Sequence, residues 1–103
     1  TKEDSHFEHK IVNELAFPLT RIKGISILEY RTPSTLDSWS PNTFTNITEY
    51  FKEKYSKLML FKSQKDRWYF QENLLKSFHS NFQSYKKGIK YVEQFKTIQL
   101  YKL

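Results

Sequence analysis

Apolar residues change their spacing several times along the chain, and each change marks a predicted element. Residues 1–10 are polar with scattered charge, as in a frayed terminus or a short helix. From Ile11 to Leu19 the apolar positions Ile11, Val12, Leu15, Phe17 and Leu19 end in alternation. That predicts a strand, which Pro18 pushes towards a sheet edge because it cannot donate to a ladder. Lys23-Gly24 is a turn signal. Residues 24–30 then set Ile25, Ile27 and Glu29 against Ser26, Leu28 and Tyr30, the clearest strand of the sequence. Residues 31–45 hold Pro33, Pro41 and many Ser, Thr, Asn and Asp, which predicts a long ordered loop. Trp39 and Phe44 are expected to pin it to the body, since leaving such rings wet is costly.

The second half begins with the strongest predicted helix, over 46–58. Asn46 three residues before Glu49 reads as a capping box, with Thr45 the alternative cap, and Ile47, Tyr50, Phe51, Tyr55 and Leu58 follow at helical spacing. Leu58 to Phe61 is a short strand candidate, 63–66 a hairpin-type connection, and Arg67 to Phe70 a resumed strand. Residues 71–79 predict a short helix with Leu74, Leu75 and Phe78 inward. Phe82, Tyr85, Ile89, Val92 and Phe95 recur at intervals of three and four, as in a helix interrupted near Gly88. Residues 97–103 alternate weakly, as a terminal strand would. There is no internal repeat and no linker long enough to divide two domains.

Composition narrows the classes. At 103 residues the chain is read as a single domain over 1–103, and its start at Thr1 rather than Met as a fragment of a larger protein. Aromatic residues make up 17%, and nine Phe, seven Tyr and two Trp let a short chain close a core. No apolar run reaches the ~18 residues of a membrane span, so no membrane association is expected. Cysteine is absent, which excludes disulfides, Cys-ligated zinc and thiol catalysis and points to a cytoplasmic or nuclear protein. The sequon Asn46-Ile47-Thr48 carries little weight without a secretory context.

The net charge of +6 is uneven: residues 1–50 carry five basic and seven acidic side chains, residues 51–103 twelve and four. Most of those twelve stand within two positions of an aromatic ring, as in 50–55, 65–70 and 84–87. Cations beside rings suit single-stranded nucleic acid, the charges tracking phosphates and the rings stacking on bases. Catalytic chemistry lacks a constellation. His6 and His9 stand near Glu3, Asp4 and Glu8, but in a polar terminus that reads as solvated charge, and His79 is remote from both. With only Gly24 and Gly88 there is no phosphate-cradling loop, and no Ser has a nucleophile-elbow context. No cofactor and no metal is implied, and the chain reads as a binding module rather than an enzyme.

Residues 24–33, then Pro41-Asn42-Thr43-Phe44, then Ile47 to Tyr55, a lysine-rich connection and Trp68 to Leu75 follow in an order that resembles the PAZ domain of Argonaute, Piwi and Dicer proteins. The resemblance spans about residues 11–78, its most specific part being Tyr50 to Tyr55 with Phe44. It implies capture of a single-stranded RNA 3′ end in an aromatic pocket. Tyr50 and Tyr55 would offer hydroxyls to the terminal phosphate, Lys54 a charge-assisted contact, and Phe44 a ring against the terminal nucleotide. Tyr50 and Tyr55 are five apart, about 140° around an ideal helix, so convergence requires the helix end to bend. Thr20 to Gly24 is too short for the family's pocket hairpin, and Gln71-Glu72 replaces the Pro expected before the last helix.

The expected fold is α+β: a small, bent antiparallel sheet or partial barrel of PAZ or OB type with helices packed on it. The expected function is single-stranded RNA or 3′-end binding, through Phe44, Tyr50, Lys54, Tyr55, Lys65, Arg67 and Trp68. The alternative is a protein-interaction domain in which Trp39, Trp68 and Phe61 anchor an acidic partner segment. Residues 80–103 form an extension outside the resemblance, expected to complete the core rather than to add a binding surface.

Overall fold

The computed structural model describes residues 1–80 and 87–102. It is α+β, with helices α1 (Phe7–Ala16), α2 (Phe51–Leu58) and α3 (Glu72–Phe78) and strands β1 (Ile27–Tyr30), β2 (Thr43–Asn46) and β3 (Val92–Gln99). The strands form a small open sheet in the order β1-β3-β2, so the last strand in sequence is the central one. Among the described residues no helix is long and apolar enough to cross a membrane. The contacts divide the chain into two compact units, Thr1–Phe44 with Gln94–Leu103, and Thr45–Glu93.

In the first unit the strand expected over 11–19 is a helix. The backbone N–H of His6 donates to Asp4 Oδ1 at 2.7 Å, and His6 Nδ1 accepts from the N–H of Glu8 at 3.3 Å, so α1 starts with its first donors satisfied. Pro18 does not break it, because it sits in the first turn of the 3-10 segment Phe17–Arg21, where no helical N–H is required. Gly24 turns the chain at φ +93°, a left-handed conformation that favours glycine, and β1 follows as expected. β1 runs antiparallel to β3, with Leu28 opposite Thr97 and Tyr30 opposite Phe95. Trp39 is buried and pins the loop as foreseen, its Nε1 donating to Glu29 Oε1 at 3.2 Å. Phe44 does not pin it: it lies half exposed on β2, where alternation turns Thr43 towards the Thr97 hydroxyl, 2.6 Å away, and Phe44 to the other face.

Asp4 is the first unit's most buried side chain, 1% exposed, rather than part of a solvated terminus. Oδ2 accepts from Thr32 Oγ1 at 2.9 Å and from His9 Nδ1 at 3.0 Å, while Oδ1 holds His6. Around it Ser5 N–H donates to Ser34 O and Leu36 N–H to Glu3 O, each at 2.9 Å, so the N-terminal segment is tied to the 32–36 turn. Burial acts to raise the Asp4 pKa. Hydrogen bonds from Ser34, the His6 N–H, His9 and Thr32 outweigh it and hold the carboxyl well below the usual carboxylate range.

In the second unit, the 46–58 helix begins later than its spacing implies. Asn46 Oδ1 accepts from the N–H of Thr48 at 3.0 Å and from its hydroxyl at 2.7 Å, so it closes a turn rather than a capping box with Glu49. A 3-10 turn, Thr48–Tyr50, intervenes before α2. Ile47 and Phe51 are buried with Leu75 and Val92, and the Phe51 ring stacks on Tyr91 with centroids 4.6 Å apart. Neither strand expected at 58–61 or 67–70 forms. Residues 59–70 are successive turns instead, with Gln64 and Lys65 N–H on Phe61 O at 2.9 Å, leading into the 3-10 turn Trp68–Phe70. Apolar runs this short do not distinguish a strand from a helix end until a ladder partner exists. α3 buries Leu75 and half-buries Phe78, but leaves Leu74 exposed.

The helix expected across 82–95 is replaced at its end by β3. Gly88, at φ +90°, turns the chain, and Val92 then enters the core in a strand where branched and aromatic residues fit well. Phe82, Tyr85 and Lys86 lie outside the described residues. Residues beyond 80 therefore complete the sheet, with Ile47 N–H on Tyr91 O at 2.9 Å and Val92 N–H on His79 O at 2.8 Å.

Asp4→Asn should lower stability by about 1–3 kcal/mol at neutral pH, since buried donors lose their ionised acceptor. Because the folded pKa is depressed, that contribution is complete above the unfolded carboxylate pKa of about 3.9 and is lost as pH falls through the folded value. Denaturant titrations between neutral and strongly acidic pH should show the parent's advantage over the variant shrinking as acid is added. A chain ended after Ser80 lacks the central strand, so its thermal melt should lose cooperativity.

Candidate nucleic-acid interface

Charge follows the division of the chain. The sequence of 45–93 carries ten basic and five acidic side chains, a net +5, which leaves +1 for the other unit. Part of this charge is neutralised internally. Lys57 Nζ lies 2.8 Å from Glu53 one helical turn away and Lys76 lies 3.3 Å from Glu72, while Lys54 is paired with Glu93. Lys57, hydrogen-bonded to Glu53, holds that carboxyl below its ordinary pKa. Lys52, Lys62, Lys65 and Arg67 form no ion pair among the described residues.

The 3-10 turn and α2 position a groove of about 380 Å³. Ile47, Tyr50, Leu58 and Phe61 supply its apolar wall, and the pairs Lys54–Glu93 and Lys57–Glu53 its polar edge. Tyr50 and Lys54 share it because residues four apart lie on one helix face. Tyr55 is half-buried and does not line it, and its hydroxyl makes no hydrogen bond among the described residues. Phe44 belongs to the other unit.

The remaining predicted residues fall in the turns after α2. Lys65 and Arg67 are exposed, and Trp68 lies edge-on to Tyr69, with centroids 5.5 Å apart. Tyr69 is held in place by its hydroxyl, which donates to Gln64 Oε1 at 3.2 Å, and by the Phe70 ring at 5.2 Å. Tyr50, Phe61 and Trp68 are 61%, 60% and 64% exposed, so three rings of the basic unit face solvent. The structure thus brings Tyr50 and Lys54 together, and Lys65, Arg67 and Trp68 into one segment, without joining all seven predicted residues in one pocket.

Glu93 is the site residue that sequence reading missed. It stands 39 positions from Lys54, and no local pattern links the two. A second cavity of about 380 Å³ lies in the first unit between α1 and the sheet, lined by His9, Val12, Asn13 and Ala16 on the helix side. Two of its three carboxylates are already hydrogen-bonded, Asp4 as described and Glu29 by Asn13 Nδ2 at 2.9 Å and Trp39. His79 is buried in the second unit, its Nδ1 3.1 Å from Val92 O. Among the described residues no group of three or more His, Cys, Asp or Glu is placed to hold a metal ion, and His6 and His9 instead stack with centroids 4.4 Å apart. No protein-family model matches the chain, and neither a curated protein nor a solved structure is found to be similar to it.

Glu93→Gln should cost no more than about 1 kcal/mol, the worth of a partly exposed ion pair. It should also free Lys54, so titration with a single-stranded oligonucleotide should give a salt dependence steeper by about 0.7 in log–log slope than the parent's.

Proposed function

We propose that this chain is a single-stranded RNA-binding module of the cytoplasm or nucleus, acting without catalysis through the basic aromatic segment 61–69. The observation that carries this reading is the succession, in one run of tight turns, of exposed rings at Phe61 and Trp68 with Lys62, Lys65 and Arg67, cations that form no ion pair among the described residues. With Asp66, they leave the segment 61–69 a net charge of +2. Rings offer stacking surfaces to unpaired bases, and the cations follow the phosphates between them. Turns held by Gln64, Lys65, Arg67 and Phe70 N–H bonds keep the segment in shape, so less ordering is needed on binding.

The PAZ resemblance points to the same ligand class and adds a narrower form, capture of the 3′ end in the groove of Tyr50 and Lys54. In that form Tyr50 contributes the phenol hydroxyl and the ligand phosphate displaces Glu93 from Lys54. Tyr55 contributes little, because it does not line the groove.

Fluorescence titrations with labelled single-stranded RNA and blunt duplex test the reading. Trp68→Ala should weaken single-strand binding by about 1–3 kcal/mol, roughly five- to 150-fold, and Lys65→Ala should reduce the salt slope by about 0.7. Tyr55→Phe should bind as the parent does. Tight duplex binding, or binding that ignores salt, would sink the proposal. Competition by an acidic peptide that Trp68→Ala abolishes, with no RNA affinity, would favour the protein-partner alternative.

A further inference from the structure

Helix α1 carries apolar side chains on two faces, one of them shared with polar residues. His9, Val12, Asn13 and Ala16, spaced i, i+3, i+4 and i+7, line the first unit's cavity. Phe7, Ile11 and Leu15 recur every fourth residue and, at about 100° per residue, occupy the opposite side of the helix. Phe7 is 72% and Leu15 73% exposed, with Ile11 between them at 38%; Val12 on the cavity side is 64% exposed, and α1 has no buried residue at all. A soluble helix does not normally carry a second stripe of large apolar side chains into water.

The charges beside the stripe say what covers it. Lys10 and Glu14 lie on one flank, both exposed, and although one turn apart they form no ion pair with each other. The order Lys before Glu is the less favourable one for such a pair. An antiparallel copy of α1 related by a two-fold axis at Ile11 sets Phe7 over Leu15 of the second copy and Ile11 over Ile11. The same axis places the second copy's Glu14 about two residues, or ~3 Å, along the helix from Lys10, on the same flank. Each Lys10 then faces a Glu14, twice per pair. A lipid surface fits less well, because interfacial helices are rich in Lys and Arg, whereas α1 has Lys10 against Glu8 and Glu14.

We infer that the outward face of α1 is a homodimer interface, in which α1 pairs antiparallel with α1 of a second copy through Phe7, Ile11 and Leu15 and reciprocal Lys10–Glu14 ion pairs. A single ten-residue helix, about 15 Å long, covers less than the ~800 Å² per partner of a standard interface, so the dimer is weak and concentration-dependent.

Sedimentation velocity of the whole chain over a micromolar to millimolar concentration series tests this. The parent should shift from monomer to dimer, and Leu15→Glu should remain monomeric. Lys10→Glu and Glu14→Lys should each weaken association about five- to thirtyfold, because each places like charges opposite each other at two symmetric positions. The double variant Lys10→Glu/Glu14→Lys should restore it to within about threefold of the parent. All these positions face outward, and unchanged far-ultraviolet circular dichroism shows that each variant is folded. A parent that stays monomeric throughout, or single reversals that are silent, or a double variant that is not restored, overturns the proposal. So does a monomer that sediments with lipid vesicles and loses this with Leu15→Glu.

Discussion

Strand β3 is the member to which both other strands are hydrogen-bonded, and nothing in the sheet exists without it. Its partners come from residues 27–30 and 43–46, so the chain must close loops of some fifty to seventy residues before the ladder forms. Such closure costs conformational entropy that grows only slowly with length but must be met before any pairing gives a return. The segment least connected to the rest in sequence is therefore the one on which the sheet depends. Val92 marks the point, since it is buried in the second unit's core at the first position of the strand.

The two units meet the demand for stability in different ways. Of the large apolar side chains buried among the described residues, Ile47, Phe51, Leu75 and Val92 lie in the 45–93 unit, each worth about 1.5–3 kcal/mol. The other unit buries Trp39. It relies more heavily on polar junctions: Asp4 gathers His6, His9 and Thr32, and Glu29 joins Asn13 of α1 to Trp39 of the loop. Such junctions are directional, so they fix a geometry that non-directional burial would leave loose, and they fail when a single member is removed.

What the sequence made legible followed from local rules. The alternation at 24–30, the Gly24 turn and the short helix at 72–78 are patterns visible within a few positions, and the burial of Trp39 follows from the cost of leaving so large a ring wet. The α+β class was legible for the same reason. The strand expected at 11–19 was misread because Ile11, Val12 and Leu15 fit helical spacing as well as they fit the start of an alternation, and Pro18 falls in a first turn that tolerates it. The reading of 82–95 as helix failed at Val92 because pairing partners distant in sequence decide that conformation. At the candidate site, the mixture of rings and cations was visible, whereas the neutralisation of Lys54 by Glu93 was not, since no spacing rule reaches across that separation.

That neutralisation decides where a polyanion would meet the surface. A lysine already paired offers a ligand only the difference between two partners, and the existing carboxylate must first be released. On α2, Lys54 and Lys57 are in that position, and the groove beside them is electrostatically quieter than its lysine content implies. In the turns after Phe61, Lys62, Lys65 and Arg67 form no ion pair among the described residues, neighbouring Asp66 included, and Trp68 is open to solvent. Local field is set by charge that remains unpaired after folding, so under the proposed function the phosphates lie on the turns of 61–69 rather than on the paired lysines of α2.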